Sequence, residues 1–309
     1  MRISVVIPTY KRVHSLRNCL DGLSKQQRQP DEICIVARDT DQDTLEFLRG
    51  SLQEPFLKSV LVSVPGAVAA YNAGLKEASG DIIVITDDDT VAYPDWLARI
   101  EKHFEDDKLL GGLGGKDWVY HSGRLEYGEA HTVGKLSWFG RMTGNHHIGI
   151  GSPREVDILK GANMSFRREA VDGIRFDERL RGNGAQVHLE IGVSLLVKQG
   201  GWLLRYDPSV CVNHYPAERF DEDKRNRFNE TACMNMAHNE TYMILKHSNA
   251  FRRLMYIIWA ISVGSSPSPG LLQLIRTVPR EGGTAIRKLY STFRGRWDGW
   301  RTWKMSINS

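Results

Sequence analysis

Three adjacent carboxylates, Asp87-Asp88-Asp89, follow the apolar run Ile82-Ile83-Val84-Ile85, with Thr86 between them. Clustered negative charges repel one another unless they are protonated or neutralised by a cation. Aspartates are hard oxygen ligands, so the matching chemistry is a divalent Mg²⁺ or Mn²⁺ that carries a phosphorylated substrate. In extended backbone Asp87 and Asp89 point one way and Asp88 the other, which makes the outer two the expected ligands. The Asp-x-Asp spacing alone says little, because Asp39-Thr40-Asp41, Asp41-Gln42-Asp43 and Asp221-Glu222-Asp223 repeat it. The series from Asp39 to Asp43 imitates a calcium loop but has Thr44 in place of the required glycine and Gly50 in place of the closing glutamate. It reads as the solvated start of a helix. Only the copy at Asp87 ends a strand of the buried type.

The elements that must position those carboxylates alternate. Ile3–Ile7 reads as a first strand and Leu16, Cys19, Leu20 and Leu23 recur at helical spacing. A second strand over Ile33–Val36, a helix over Thr44–Leu52, a third strand over Val60–Val62 and a helix over Ala67–Ala78 lead to Ile82–Ile85. That alternation predicts βαβ units and a parallel sheet, whose ligands bind beyond the carboxyl ends of the strands. After Pro94-Asp95 a helix should bear Trp96, Leu97, Ile100 and Phe104. Gly111–Gly115 reads as a flexible or closely packed turn, and Lys116–Asp157 as a long irregular segment of the kind that lines binding sites. Further on, Asn183-Gly184 marks a turn before a helix from about His188 to Gln199. Two strands, Trp202–Tyr206 and Ser209–Asn213, flank Pro208, and the chain from Phe220 reads as helix.

With 309 residues, 41 % hydrophobic and 25 % charged, the composition is that of a globular protein. The four cysteines lack paired metal-ligand spacing and read as buried free thiols. Met1 leads directly into a strand, so a cytoplasmic, reducing location is expected. The net charge of +4 is uneven: residues 251–309 hold ten Lys and Arg against two acids, a net +8, which leaves −4 on the rest. Such a tail calls for an anionic surface as partner.

Taken in order, Val6-Ile7-Pro8-Thr9-Tyr10-Lys11-Arg12, Asn72-Ala73-Gly74 before Ala78-Ser79-Gly80-Asp81, the aspartate-tipped strand and Gly161-Ala162-Asn163-Met164 resemble a family 2 glycosyltransferase. The resemblance covers roughly residues 1 to 220. It implies the α/β GT-A fold, Rossmann-like with a mostly parallel central sheet and flanking helices. It also implies inverting transfer of a sugar from a nucleotide-diphosphate sugar (UDP-, dTDP- or GDP-linked) to an acceptor hydroxyl. Residues 1–115 would form the nucleotide-binding half and 116–220 the acceptor half, followed by a basic, amphipathic helical region over 221–309. Pro8, Thr9 and Tyr10 match the loop that contacts the nucleotide, and Asn72 a helical asparagine facing it. Asp87 and Asp89 match the metal-binding Asp-x-Asp, with Asp88 also at the nucleotide. The acidic pair expected after the second strand is replaced by Ala37 and Arg38. Either Asp39 takes over or Arg38 contacts the nucleotide by stacking or through a phosphate.

The family's base is an acid at the start of a helix after the Gly-x-Asn stretch. Here the matching region is Gln186-Val187-His188-Leu189-Glu190, and counting back from Gly200-Gly201 selects Glu190, with His188 as the alternative. In a first helical turn the backbone dipole would keep Glu190 ionised. His214 would join Asp87 and Asp89 in the metal shell, as a histidine does in some relatives. Lys160 and Asn163 lie where the donor or acceptor sugar would approach, and Trp118 could stack on a sugar face. Arg167 and Arg168 could grip phosphate, although exposed arginine pairs are usually solvated.

In the tail, Leu254–Ile261 is short of the ~18 apolar residues of a spanning helix but suits one lying at a bilayer interface. Arg294, Arg296, Trp297, Trp300, Arg301, Trp303 and Lys304 interleave cation and indole in the manner of an interfacial anchor. Peripheral attachment to the inner face of the cell membrane and packing on the catalytic domain are the two readings. No nucleic-acid-binding module accompanies the charge, so nucleic acid is not an expected partner. The expected acceptor is a glycan or lipid-linked glycan in cell-surface or extracellular polysaccharide synthesis. A sugar nucleotidyltransferase or a non-catalytic binding protein of the same fold are the rival functions.

Overall fold

The computed structural model describes residues 1–51, 56–224 and 227–308. Its first part runs β1 (Ile3–Thr9), α1 (Val13–Ser24), β2 (Glu32–Arg38), α2 (Gln42–Ser51), β3 (Leu57–Val62), α3 (Ala67–Glu77), β4 (Ile82–Ile85), β5 (Thr90–Ala92) and α4 (Trp96–Asp106). These match the alternation expected from the sequence, and the expected helix end at Leu52 lies outside the described residues. The second part holds β6 (Leu110–His121), β7 (Arg124–Leu125), β8 (Lys135–Leu136), β9 (Met142–Thr143), β10 (Arg154–Glu155), β11 (Met164–Arg167), α5 (Arg168–Val171), α6 (Leu189–Gln199) and β12 (Leu203–His214). Four helices close the chain: α7 (Glu230–Lys246), α8 (Ala250–Ser262), α9 (Leu271–Glu281) and α10 (Gly283–Ile307).

One sheet in the order β3-β2-β1-β4-β11-β6-β12-β10 runs through the molecule, with β5 added on β12 and β7 on β6. The pairs β3/β2, β2/β1, β1/β4 and β6/β12 are parallel, and β11 lies antiparallel between β4 and β6. Both faces are covered, which is why the strands read as unbroken apolar runs. Ile3, Val5, Ile7, Ile35 and Val84 pack with Leu16, Leu23, Trp96 and Phe104 of α1 and α4. On the other face Val6, Val36, Ile83 and Ile85 pack with Tyr71 of α3 and with Leu189 and Val193 of α6.

Several expectations fail here. Gly111–Gly115 is not a turn but the middle of β6. Glycine is required there by closeness: a Cβ on Gly111 would lie 2.4 Å from Trp202 Cβ and one on Gly115 2.0 Å from the Val210 carbonyl oxygen. The boundary at residue 115 falls inside β6. Lys116–Asp157 is therefore irregular only in part, since it opens in that strand and includes β7, β8, β9 and β10. Trp202–Tyr206 and Ser209–Asn213 join in one strand, β12, whose pairing with β6 shifts between Asp207 and Cys211 around Pro208. Nor is the 39–43 series simply solvated: Asp41 is buried and caps α2 by accepting from the Thr44 amide and hydroxyl.

The last helix packs along α7 through Ser291, Thr292, Gly295, Gly299 and Thr302, all buried. A Cβ on Gly295 would lie 2.3 Å from the Met234 carbonyl oxygen, and one on Gly299 2.6 Å from that of His238. Arg296 is buried and donates to the Ser268 and Pro269 carbonyls at 2.6 and 3.1 Å, fastening the segment before α9. The four cysteines are buried and free, as expected. No helix among the described residues is long and apolar enough to cross a membrane.

Candidate active site

Beyond the carboxyl ends of β1, β2 and β4 lies a cleft of about 490 Å³. Its floor is the turn between β4 and β5, where the chain leaves the sheet as Thr86-Asp87-Asp88-Asp89. Asp88 points into protein, accepting from Thr9 Oγ1 at 2.7 Å and Arg12 Nη1 at 3.0 Å. Burial pushes its carboxyl up to about 7, against the pull of Arg12. Asp87 and Asp89 turn the other way and meet His214, which β12 delivers at the end of its ladder with β5, His214 opposite Thr90. One ligand atom from each of the three lies within 4.8 Å of the others.

That trio fits a divalent cation. Asp89 Oδ1 and His214 Nε2 are buried and pair at 3.2 Å without hydrogen-bond geometry, so both atoms face each other with no other partner. Burial alone would raise Asp89, but His214, the Ala217 amide at 2.9 Å and Arg12 hold it at about 2. Burial would lower His214, but Asp117 and Asp89 lift it to about 9. Burial and Asp89 raise Asp87, whose Oδ1 accepts from Tyr71 Oη at 3.1 Å.

Glu190 stands in the same cleft, in the first turn of α6. Its Oε1 accepts from the Gly161 amide at 3.1 Å, and a Cβ on Gly161 would sit 3.1 Å from that oxygen and 3.5 Å from Tyr71 Oη. The missing side chain of Gly161 thus opens the space between Glu190 and Tyr71. The dipole does not decide its protonation as expected. Burial raises the Glu190 carboxyl above its ordinary value, with Asp87 adding to the rise and the Gly161 amide and Lys160 opposing it. His188 lines the cleft in a left-handed conformation, φ 75°, and burial lowers it to about 4.

Several expected residues are elsewhere. Asn72 does not line the cleft; its amide clamps Phe176, donating to the carbonyl at 2.9 Å and accepting from the N–H at 2.8 Å. The neighbouring Tyr71 takes the position facing the site. Asn163 is buried among protein groups, bonded to Trp96 Nε1 and the carbonyls of Lys116 and Val210. Trp118 lies under Lys116 Nζ, 3.7 Å from the ring centre, and is not part of the cleft wall. Between them on β6, Asp117 points to the opposite face, pairing with Lys160 and approaching His214 Nδ1 at 3.5 Å. Strand parity is the signal that separates Asp117 from Trp118, and it is visible only once β6 is known to be a strand. Arg167 and Arg168 bind main-chain carbonyls, those of Leu110 and Phe104 and of Gly80 and Ala78.

At the other end of the cleft, Pro8, Thr9, Tyr10 and Arg38 are in the wall and the exposed Asp39 is not. The Arg38 guanidinium lies 5.7 Å from the Tyr10 ring centre, and its buried Nε has no hydrogen-bond partner. Phe220 meets the Tyr10 ring edge-on at 6.1 Å. The segment carrying Phe220 is moored through the Ala217 amide to Asp89 and through the Glu218 carbonyl to Arg12 at 2.9 Å.

Comparison with known proteins shows the family and the fold. The description "Glycosyl transferase family 2" belongs to the family whose profile matches residues 4–174. An uncharacterized glycosyltransferase of Bacillus subtilis, YwdF, is 38 % identical over 105 residues, 34 % of this chain and 39 % of that protein. The glucosyl-dolichyl phosphate glucuronosyltransferase of Haloferax volcanii is 26 % identical over 235 residues, 69 % of each chain. Among solved structures, GalNAc-T7 with UDP, GalNAc and Mn²⁺ superposes with a TM-score of 0.66 at 14 % identity, over 83 % of this chain and 50 % of that one. That likeness shows the fold, GT-A, as the sequence implied. With the profile spanning more than half its length, this chain belongs to glycosyl transferase family 2.

Proposed function

We propose that the protein is a metal-dependent inverting transferase that moves a sugar from a nucleotide-diphosphate sugar to a hydroxyl of a lipid-linked glycan, in the synthesis of cell-surface or extracellular polysaccharide. The observation that carries this reading is the shared cleft. Asp87, Asp89 and His214 gather at one wall while Glu190 faces the same space from α6. The Haloferax volcanii relative, named for a dolichyl phosphate substrate, supports the lipid-linked acceptor. GalNAc-T7, solved with UDP and Mn²⁺, supports the donor and cation classes.

Asp87, Asp89 and His214 would hold Mn²⁺ or Mg²⁺, which supplies positive charge against the diphosphate as it departs. Pro8, Thr9, Tyr10 and Arg38 hold the nucleoside end, and Lys160 stands at the sugar. Glu190 takes the proton of the acceptor hydroxyl while that oxygen bonds to the anomeric carbon. The bond from this carbon to the diphosphate oxygen breaks on the opposite side, so the configuration inverts. Raised by burial, Glu190 is a stronger base than an exposed carboxylate. The nucleotide lies on the β1–β4 side of the cleft and the acceptor on the α6 side, with the protein peripheral on the cytoplasmic face of the membrane.

A panel of UDP-, dTDP- and GDP-sugars tested for Mn²⁺-dependent thermal stabilisation identifies the donor, since a true ligand raises the melting temperature by mass action. Product analysis with that donor should show inverted anomeric configuration. Retained configuration would overturn the role given to Glu190.

A further inference from the structure

The C-terminal helices carry apolar side chains that stand about half exposed. On α8, Phe251, Leu254, Ile258 and Ile261 recur at three- and four-residue spacing and are 63, 57, 49 and 47 % exposed, while Tyr256 and Ala260 on the opposite side are buried. No residue of α9 is buried, and Leu271, Leu272 and Ile275 extend the exposed set. The two stripes adjoin. Gly270 sits so close to the end of α8 that a Cβ there would lie 2.7 Å from the Ile261 carbonyl oxygen, and Leu271 follows at once.

This surface begins at the cleft. Met142 and Thr143 of the hairpin β8–β9 line the cleft, while Trp138 at its tip is 59 % exposed and stacks on Phe251 with ring centres 6.2 Å apart. Charge selects the occupant. Residues 251–309 carry a net +8, and Arg276 and Arg280 stand exposed on α9 itself. A second copy would set this basic surface against its like, whereas anionic headgroups answer the charge and the acyl boundary takes the apolar stripe.

We propose that the α8–α9 face, with Trp138, docks on an anionic lipid bilayer and holds the acceptor side of the cleft at the headgroups. The inference rests on the reading of a lipid-linked acceptor, and its test can fail separately from that reading. The full chain is sedimented with phosphatidylglycerol vesicles and with phosphatidylcholine vesicles. Strong salt-sensitive partition onto the first is expected, together with about a tenfold loss in the double variant Ile258→Glu/Ile275→Glu. Arg276→Glu/Arg280→Glu, which leaves the apolar stripe intact, should also weaken binding. Both variants should keep the wild-type melting temperature and its rise with nucleotide sugar and Mn²⁺. Equal partition onto both vesicle types, or none onto either, overturns the proposal. So does a dimer in sedimentation velocity that the Ile258→Glu/Ile275→Glu variant dissolves, since a second copy would then be the occupant. A wild-type protein that binds vesicles but is stabilised by no nucleotide sugar would instead refute the transferase reading and leave the docking surface standing.

Discussion

At the cleft floor Asp88 and Asp89 are only 1 % and 4 % exposed, answered by Arg12, His214 and the amide of Ala217, while on α8 and α9 leucines and isoleucines stand about half in the open. Ordinary folding economy would place these side chains the other way round. Burying charge raises its electrostatic leverage on a ligand, because little water is left to screen it. Exposing an apolar stripe keeps it available to something outside the molecule. Neither region is arranged for stability, and each has its own scaffold: the parallel sheet under the first, the close contact of α10 with α7 under the second.

The sharpest way to break the contrast is at Asp89. Asp89→Ala should lower transfer by about three to four orders of magnitude and abolish cation-dependent stabilisation, read by single-substrate kinetics and melting curves. Full activity would show that buried charge in the cleft serves packing alone. Glu190→Gln should reduce kcat by about two to three orders while donor-dependent stabilisation persists. Chelation with EDTA should mimic the first variant and not the second.

The scaffold under the exposed region can be tested separately. Gly299→Val forces atoms against the His238 carbonyl and should cost about 1–3 kcal/mol in denaturant unfolding, without changing the KM for donor. A change in donor KM would show that the two regions are coupled rather than independent.

Smaller effects sharpen the account of the cleft's charges. Because burial raises Glu190, the acid limb of kcat/KM should fall at a pH above the ordinary carboxylate range. Lys160→Met removes a cation that opposes this rise, so the limb should move still higher. In the scaffold, burial would raise Glu32, but Lys58, Ser4 and Ser79 hold it at about 2. Its contribution is therefore present above the unfolded carboxylate value and lost as pH falls toward 2. Glu32→Gln should flatten that part of the stability profile.

Much of the first half of the fold was legible because each of its strands is either an apolar run or follows a clear turn. Asp87 and Asp89 stand out in the sequence as the carboxylates that end a buried-type strand, whereas His214 and Glu190 are singled out only through the family resemblance; the structure brings all four to one cleft. Asn72 was misassigned because a helix turns about 100° per residue, so its neighbour Tyr71 faces the site instead. The error at Gly111–Gly115 had a different origin. Glycine has no side chain to signal a strand, and the partners that demand its absence, Trp202 and Val210, lie about ninety residues away. That one misreading hid the alternation that sends Asp117 toward His214 and Trp118 away from it. Asn163 is not separable from a sugar-binding residue in sequence, because a buried amide and a ligand-binding amide look alike there.

The short ladder joining β5 to β12 pairs Thr90 with His214, Val91 with Asn213 and Val212 with Ala92. It begins one residue after Asp89, so sheet hydrogen bonds hold His214 beside the turn that carries Asp87 and Asp89. A substitution that shifts β12 against β5 would therefore move the imidazole relative to both carboxylates without altering any of the three side chains.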